Sequence, residues 1–100
     1  PFYFLALVTV THHELTKAVT VTEKITHFLN MQLSDEAVIL GPVASPIARI
    51  KDRYRYQCII KYKREPNLHE ALKTVIEKYQ TQMDQEKLAV HIDLNPYMLM

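Results

Sequence analysis

Residues 53–63, RYRYQCIIKYK, alternate between two kinds of side chain. Tyr54, Tyr56, Cys58, Ile60 and Tyr62 occupy one parity, and Arg53, Arg55, Gln57, Ile59, Lys61 and Lys63 the other. Successive side chains of a strand point to opposite faces, so the pattern predicts a half-buried strand with its aromatics on a core and its cations outward. Pro66-Asn67 breaks this strand, and Asn67 with Glu70 three residues on reads as a capping box for a helix. Leu68, Ala71, Leu72, Val75, Ile76, Tyr79 and Met83 form the apolar stripe of that helix. Residues 87–94 alternate again, with Leu88, Val90, Ile92 and Leu94 inward and Ala89, His91 and Asp93 outward, until Asn95-Pro96 ends the run.

The N-terminal half has the same grammar. Residues 2–10, FYFLALVTV, are apolar on both parities and predict a central strand. Thr11 and Glu14 read as a second capping box, opening a helix to about Asn30 whose stripe is Leu15, Ala18, Val19, Thr22, Ile25 and Leu29. Val19, Thr20 and Val21 are β-branched, so tertiary packing must hold this helix. Ala37 to Leu40 is a short strand that Gly41-Pro42 is expected to stop, and Pro42 and Pro46 keep the following loop extended. The order is therefore β-α-β-β-α-β. This predicts an α+β fold, the split β-α-β plait: a four-stranded antiparallel sheet with two helices on one face and the other face free.

One hundred residues suffice for one domain with its own core. A hydrophobic fraction of 48% beside 23% charged residues is that of a globular protein, and no apolar run has the length of a membrane span. The single cysteine, Cys58, has no partner for an intramolecular disulfide, which points to a reducing compartment, the cytoplasm by default. The start at Pro1, without a signal-like segment, reads as a piece cut from a longer chain.

Much chemistry is missing. With one glycine the sequence has neither phosphate-cradling loop, G-x-x-x-x-G-K-[ST] or G-x-G-x-x-G. His12 and His13 are adjacent, and His13-Glu14-Leu15-Thr16-Lys17 fails H-E-x-x-H at its last position, so no metal site is expected. Cys58 sits on the apolar parity, where a buried, inert thiol is expected rather than a nucleophile. No catalytic residue is assigned.

What stands out is charge. Residues 41–64 hold seven of the twelve Lys and Arg against one acid, Asp52, while the whole chain carries a net charge of only +1. A local basic strip with interleaved aromatics points to an anionic partner. Alternate strand positions lie about 7 Å apart, near the phosphate repeat of an extended single strand. Arg49, Lys51, Arg53, Arg55, Lys61 and Lys63 are thus candidate contacts to the phosphates of a nucleic acid such as DNA or to an acidic peptide. An apolar patch from the first strand beside this stripe would add contact with protein. Other readings remain open. The cations could blunt an edge strand, or Arg49 and Arg55 could anchor residues 41–52 through carbonyls and Asp52 or Asp93. An RNA-binding plait of the RRM type would need Tyr56 and Tyr62 exposed on the free face. A plait acyl-phosphatase would need a glycine-rich phosphate loop.

Gly41-Pro42, Ser45-Pro46-Ile47, Arg49-Ile50 and Arg53-Tyr54-Arg55-Tyr56-Gln57, with the closing His91-Ile92-Asp93-Leu94-Asn95-Pro96, resemble one family over essentially the whole chain. It is the C-terminal domain of the PriA-type primosomal replication-restart helicases, also called primosomal protein N′. Gly41, Pro42, Pro46, Tyr54, Gln57, Asp93 and Pro96 carry the likeness as structural positions. The resemblance implies a plait related to a small-subunit ribosomal protein, without catalysis of its own. It implies a parent ATP-dependent 3′-5′ DNA helicase whose ATP, magnesium and zinc sites lie upstream. As partners it implies single-stranded or forked DNA, the helicase lobes of the same chain, the acidic tail of single-stranded DNA-binding protein and other primosome proteins. The alternatives are a stand-alone RRM-like RNA-binding plait and a purely structural domain docked on the helicase core.

Overall fold

The computed structural model describes residues 3–94, without the side chains of Ala48 and Ile50. The expectations for Phe2, Asn95 and Pro96 lie outside the described residues. The elements are β1 (Phe4–His12), α1 (Leu15–Gln32), β2 (Val38–Ile50), β3 (Arg53–Tyr62), α2 (Leu68–Gln85) and β4 (Ala89–Leu94). They form one four-stranded sheet in the order β2-β3-β1-β4, antiparallel at every pairing. This is the α+β split β-α-β plait read from the periodicities.

The sheet's core face follows from register. Val8 pairs with Cys58 and Ile92, and Val10 with Tyr56 and Val90, so the even-numbered residues of β1, β3 and β4 share a face. α1 packs across β1, β2 and β3, and α2 against β4, all on this side. Ala6, Val8, Val10, Cys58 and Ile60 from the sheet are wholly buried, with Ile25 and Leu29 of α1 and Val75 and Leu72 of α2 closing over them. Each large aliphatic in that set contributes on the order of 1.5–3 kcal/mol by leaving water.

α1 shows how packing overrides propensity. Its buried residues are Ala18, Val21, Thr22, Ile25, Thr26 and Leu29. The expected stripe had Val19, only half-buried here, and Leu15, which is exposed, in place of Val21 and Thr26. The Thr22 and Thr26 hydroxyls donate to the carbonyls of Ala18 and Thr22, at 2.7 and 2.8 Å, so burying them leaves no orphan donor.

Both capping boxes fail. Thr11 is a strand residue, and α1 begins after Glu14, whose N–H donates instead to His12 Nδ1 at 3.0 Å. Asn67 precedes α2 in a helical backbone conformation with no side-chain cap bond. A residue already in αR cannot aim its side chain back at the first free donors as an extended N-cap does.

The largest correction concerns residues 41–52. Gly41-Pro42 does not stop the second strand. Here β2 runs to Ile50 and the segment is the outer arm of a long hairpin with β3. Two register irregularities, between Leu40 and Val43 and between Ala44 and Arg49, absorb Pro42 and Pro46. Proline lacks a ladder donor, and an edge strand tolerates it where pairing is interrupted. Gly41 follows the backbone at φ +149° and joins Pro42 through a cis peptide. The hairpin closes with Lys51 and Asp52, both at positive φ (51° and 64°), a two-residue turn whose twist suits the strands it joins.

Candidate nucleic-acid interface

The odd-numbered residues of β1, β3 and β4 form the face that carries no helix. Across it, the register aligns Leu40, Ile59, Leu7 and Asp93 in one row and Val43, Gln57, Thr9 and His91 in the next. One end of the face is thus apolar, with Val38 and Leu40 both about half exposed at 48% and 53%. The expected apolar patch beside the basic residues is present and comes from β2 as well as β1.

The candidate cations do not form one stripe. Gln57 and Ile59 occupy the outer positions between Arg55 and Lys61, which divides the charge into two groups at opposite ends of β3. At the hairpin end, Lys51, Arg53 and Arg55 border a trough of about 660 Å³. Its floor includes Leu7, Thr9 and Gln57, its far side His91 and Asp93, and its near wall Ser45 and Ile47 from the irregular part of β2.

Arg53 is committed to the fold. Its Nη2 donates to the carbonyl of Thr11 at 2.9 Å, to Thr11 Oγ1 at 3.2 Å and to the carbonyl of Lys87, tying the end of β1 to the segment that enters β4. Arg49 is spent locally as well. It lies opposite Tyr54, on the parity of the helix-covered face, with its guanidinium 3.0 Å from Asp52 Oδ1 and stacked 5.2 Å from the Tyr54 ring. The anchoring role considered for Arg49 through Asp52 is therefore observed, whereas carbonyls are gripped by Arg53 rather than Arg55. Arg55 differs from both: its Nε is buried and has no hydrogen-bond partner. The half-buried side chain also borders the trough, where a guanidinium can donate to an anionic or carbonyl group from outside.

At the other end Lys61 and Lys63 place their ammonium groups 4.5 and 5.0 Å from the ring of Tyr3, which is half exposed. Phe4 is also half exposed and lies against Tyr62. Tyr54, Tyr56 and Tyr62 share the parity of Cys58 and Ile60, so they belong to the helix-covered side, and the aromatic platform that an RRM-type reading needs is not formed by them. Tyr3, Thr9, Thr11 and His91 were not among the candidate contacts read from the sequence, where Thr11 stood as a helix cap and His91 as an outward residue of the last strand. Parity alone would have placed the last three beside Arg55 and Gln57, once strand order was known.

Gln57 is buried, Gly41 lies against β3, and Asp93 is exposed on the edge strand β4. Burial pushes the Cys58 thiol above its ordinary value, consistent with an inert side chain. Among the described residues no three His, Cys, Asp or Glu side chains are grouped to hold a metal ion, and no helix is long and apolar enough to cross a membrane.

Comparisons with known proteins agree with this architecture. Among solved structures, the de novo designed protein Foldit4 superposes with a TM-score of 0.68 over 96% of this chain and 99% of its own, at 5% identity. A hydantoinase/carbamoylase family amidase from Burkholderia ambifaria gives 0.50 over 92% of this chain and 27% of its own, at 7% identity. At those identities the likeness shows the fold alone. In sequence, the chain is 55% identical over all of its 100 residues to the replication restart protein PriA of Bacillus subtilis, and spans 12% of that protein's length. Residues 1–97 match the family described as the primosomal protein N C-terminal domain. The chain belongs to this family of C-terminal domains of primosomal protein N.

Proposed function

We propose that this chain is the DNA- and partner-binding part of a replication-restart helicase, acting at stalled forks and non-catalytic by itself. The observation that carries the reading is the helix-free sheet face, where Lys51 and Arg55 border one trough while Arg49 and Arg53 are engaged within the fold. Lys51 and Arg55 then supply the principal contacts to single-stranded or forked DNA, and Lys61 and Lys63 a second set at the far end. Arg49 and Arg53 contribute field rather than direct contact. The apolar row Leu40, Ile59 and Leu7 supports docking on the rest of the parent chain, of which a relative's length indicates that most lies outside these residues. ATP, magnesium and zinc belong to that remainder. The acidic tail of single-stranded DNA-binding protein and other primosome proteins are the further partners, in the cytoplasm.

The test is fluorescence anisotropy of forked and single-stranded DNA with the chain carrying Lys51→Glu and Arg55→Glu. Binding weakens, and the slope of log affinity against log salt becomes shallower by about 0.7 per lost phosphate contact. Unchanged affinity and slope would remove these two residues from the interface.

A further inference from the structure

The two groups of cations on the helix-free face stand a fixed distance apart. Arg55 and Lys61 lie on the one strand β3, and at about 3.4 Å per residue the run between them is roughly 20 Å long. The outer positions between them, Gln57 and Ile59, are uncharged, and so are Thr9 and Leu7, their partners on β1. The ion pairs of the described residues are made by His13, Lys17 and Arg49, which leaves Lys51, Lys61 and Lys63 without a carboxylate among those residues. At the far end the ammonium groups of Lys61 and Lys63 lie 4.5 and 5.0 Å from the centroid of one ring, that of Tyr3, which is 49% exposed. Two cations beside an exposed aromatic combine a phosphate attractor with a stacking surface, the two parts of a single-strand site.

We infer that one extended DNA single strand lies along β3 on this face, held by Lys51 and Arg55 at the hairpin end and by Lys61, Lys63 and Tyr3 at the other. This rests on the DNA-binding reading above and gives it a path and a minimum length. The phosphate repeat of an extended strand, about 7 Å, matches two β-strand residues. Three repeats cover the distance, so four phosphates join the two ends. Asp93 bounds the path on one side. It is level with Leu7 and Ile59 but on β4, about 10 Å from Ile59 across two strand spacings, where its carboxylate repels a backbone drifting that way. The bases turn toward Ile59 and Leu7, both half-buried, and the last one stacks on Tyr3 while the ammonium groups turn to the adjacent phosphates. While the strand is bound, Ile59 and Leu7 are closed to docking, and Val38 and Leu40 toward the β2 edge stay open.

Competition of unlabelled oligo(dT) with free hydroxyl ends against a fluorescent tracer strand tests this by length. At about 0.1 M salt the two ends are screened from each other, being roughly two Debye lengths apart. Such an oligomer has one phosphate fewer than its nucleotides. Affinity therefore changes little from two to four nucleotides and rises about tenfold or more at five, when the second end adds to the first. Joint replacement Lys61→Gln and Lys63→Gln abolishes the step and leaves the shorter oligomers bound as before. Tyr3→Ala lowers affinity for the pentamer and longer strands about fivefold, the low end of a base–aromatic stack. Circular dichroism establishes that each variant is folded. A smooth rise with length in the unaltered chain, or a step that survives the lysine replacements, overturns the spanning strand and leaves the DNA-binding reading standing. Failure to bind any length overturns both. Tighter binding of oligoglutamate than of oligo(dT) of equal extended length assigns the two ends to an acidic peptide and overturns the inference.

Discussion

Replacing Arg53 by Ala separates stability from binding within a single strand. Its Nη2 is shared among the Thr11 carbonyl, the Thr11 hydroxyl and the Lys87 carbonyl, and two N–H groups serve these three acceptors. A hydrogen bond from a charged donor contributes roughly 1.5–3 kcal/mol net where water is excluded. Arg53 is only half-buried, so water replaces part of what is lost. A loss of about 2 kcal/mol results, which for a domain of this size lowers Tm by roughly 8–16 °C. Urea unfolding followed by circular dichroism should show a lower midpoint at an unchanged slope, since the surface exposed on unfolding is the same. Arg55→Ala provides the contrast. Its Nε has no partner to lose, so the midpoint stays within about 0.5 kcal/mol of the parent, while DNA affinity falls. The reasoning is refuted if Arg53→Ala unfolds at the parent midpoint, or if Arg55→Ala is the variant that loses stability and keeps its affinity.

Gly41→Ala should destabilise the fold by about 3 kcal/mol, adding the strain of a side chain at positive φ to an overpacked contact. The added Cβ would stand 2.9 Å from the Gln57 carbonyl oxygen and 3.1 Å from Cys58 Cα, backbone atoms that cannot swing aside. A denaturant midpoint within about 0.5 kcal/mol of the parent contradicts this. His12 predicts a pH dependence. Burial, together with the neighbouring His13, holds its imidazole below the ordinary value of 6.5, while Nε2–H donates to the Glu86 carbonyl at 3.1 Å and Nδ1 accepts from Glu14. The unfolded chain takes up this proton first as pH falls, so stability is complete above about pH 6.5 and declines as pH drops through that value toward the lower folded one. Glu14 and Arg53 also face the ring and act in opposite directions on it. Chemical denaturation between pH 8 and about pH 5 should show the decline in the parent and a flatter profile in His12→Phe.

What could be read from the sequence was what depends on one element at a time. The parity of residues 53–63 gave the two faces of β3, because a strand's two-residue period needs no partner to be visible, though Gln57 on the outward parity is buried. The stripe of α2 was equally plain, and Leu68, Ala71, Leu72, Val75 and Tyr79 are buried. What could not be read depends on neighbours. Gly41, Pro42 and Pro46 are local signs of a chain that stops pairing, yet β3 supplies a partner along the arm and the irregularities accommodate the prolines. Thr11 looked like a cap because Glu14 follows it at the right distance, but pairing with Arg55 holds it in the strand. The roles of Arg53 and Arg55 were indistinguishable by spacing, since both face outward from β3. Only the approach of Lys87, far away in sequence, consumes one guanidinium and leaves the other.

That division explains why an irregular edge strand belongs in this domain. A flat four-stranded face would present Arg53 and Arg55 to solvent side by side, with no wall to exclude water from either. The irregular stretch between Ala44 and Arg49 brings Ser45 and Ile47 to the same trough as Arg55 and Gln57. A concave, partly apolar site lowers the local dielectric, so one cation there discriminates between ligands more strongly than the same cation on an open strand. Gly41 lets the arm begin close to β3, and the Arg49–Asp52 pair with the Tyr54 stack steadies it at the turn. The residues that give the family its sequence likeness thus act on shape first. They build the wall beside Arg55, and their contribution to the proposed binding should come through the shape of the trough rather than through direct contacts.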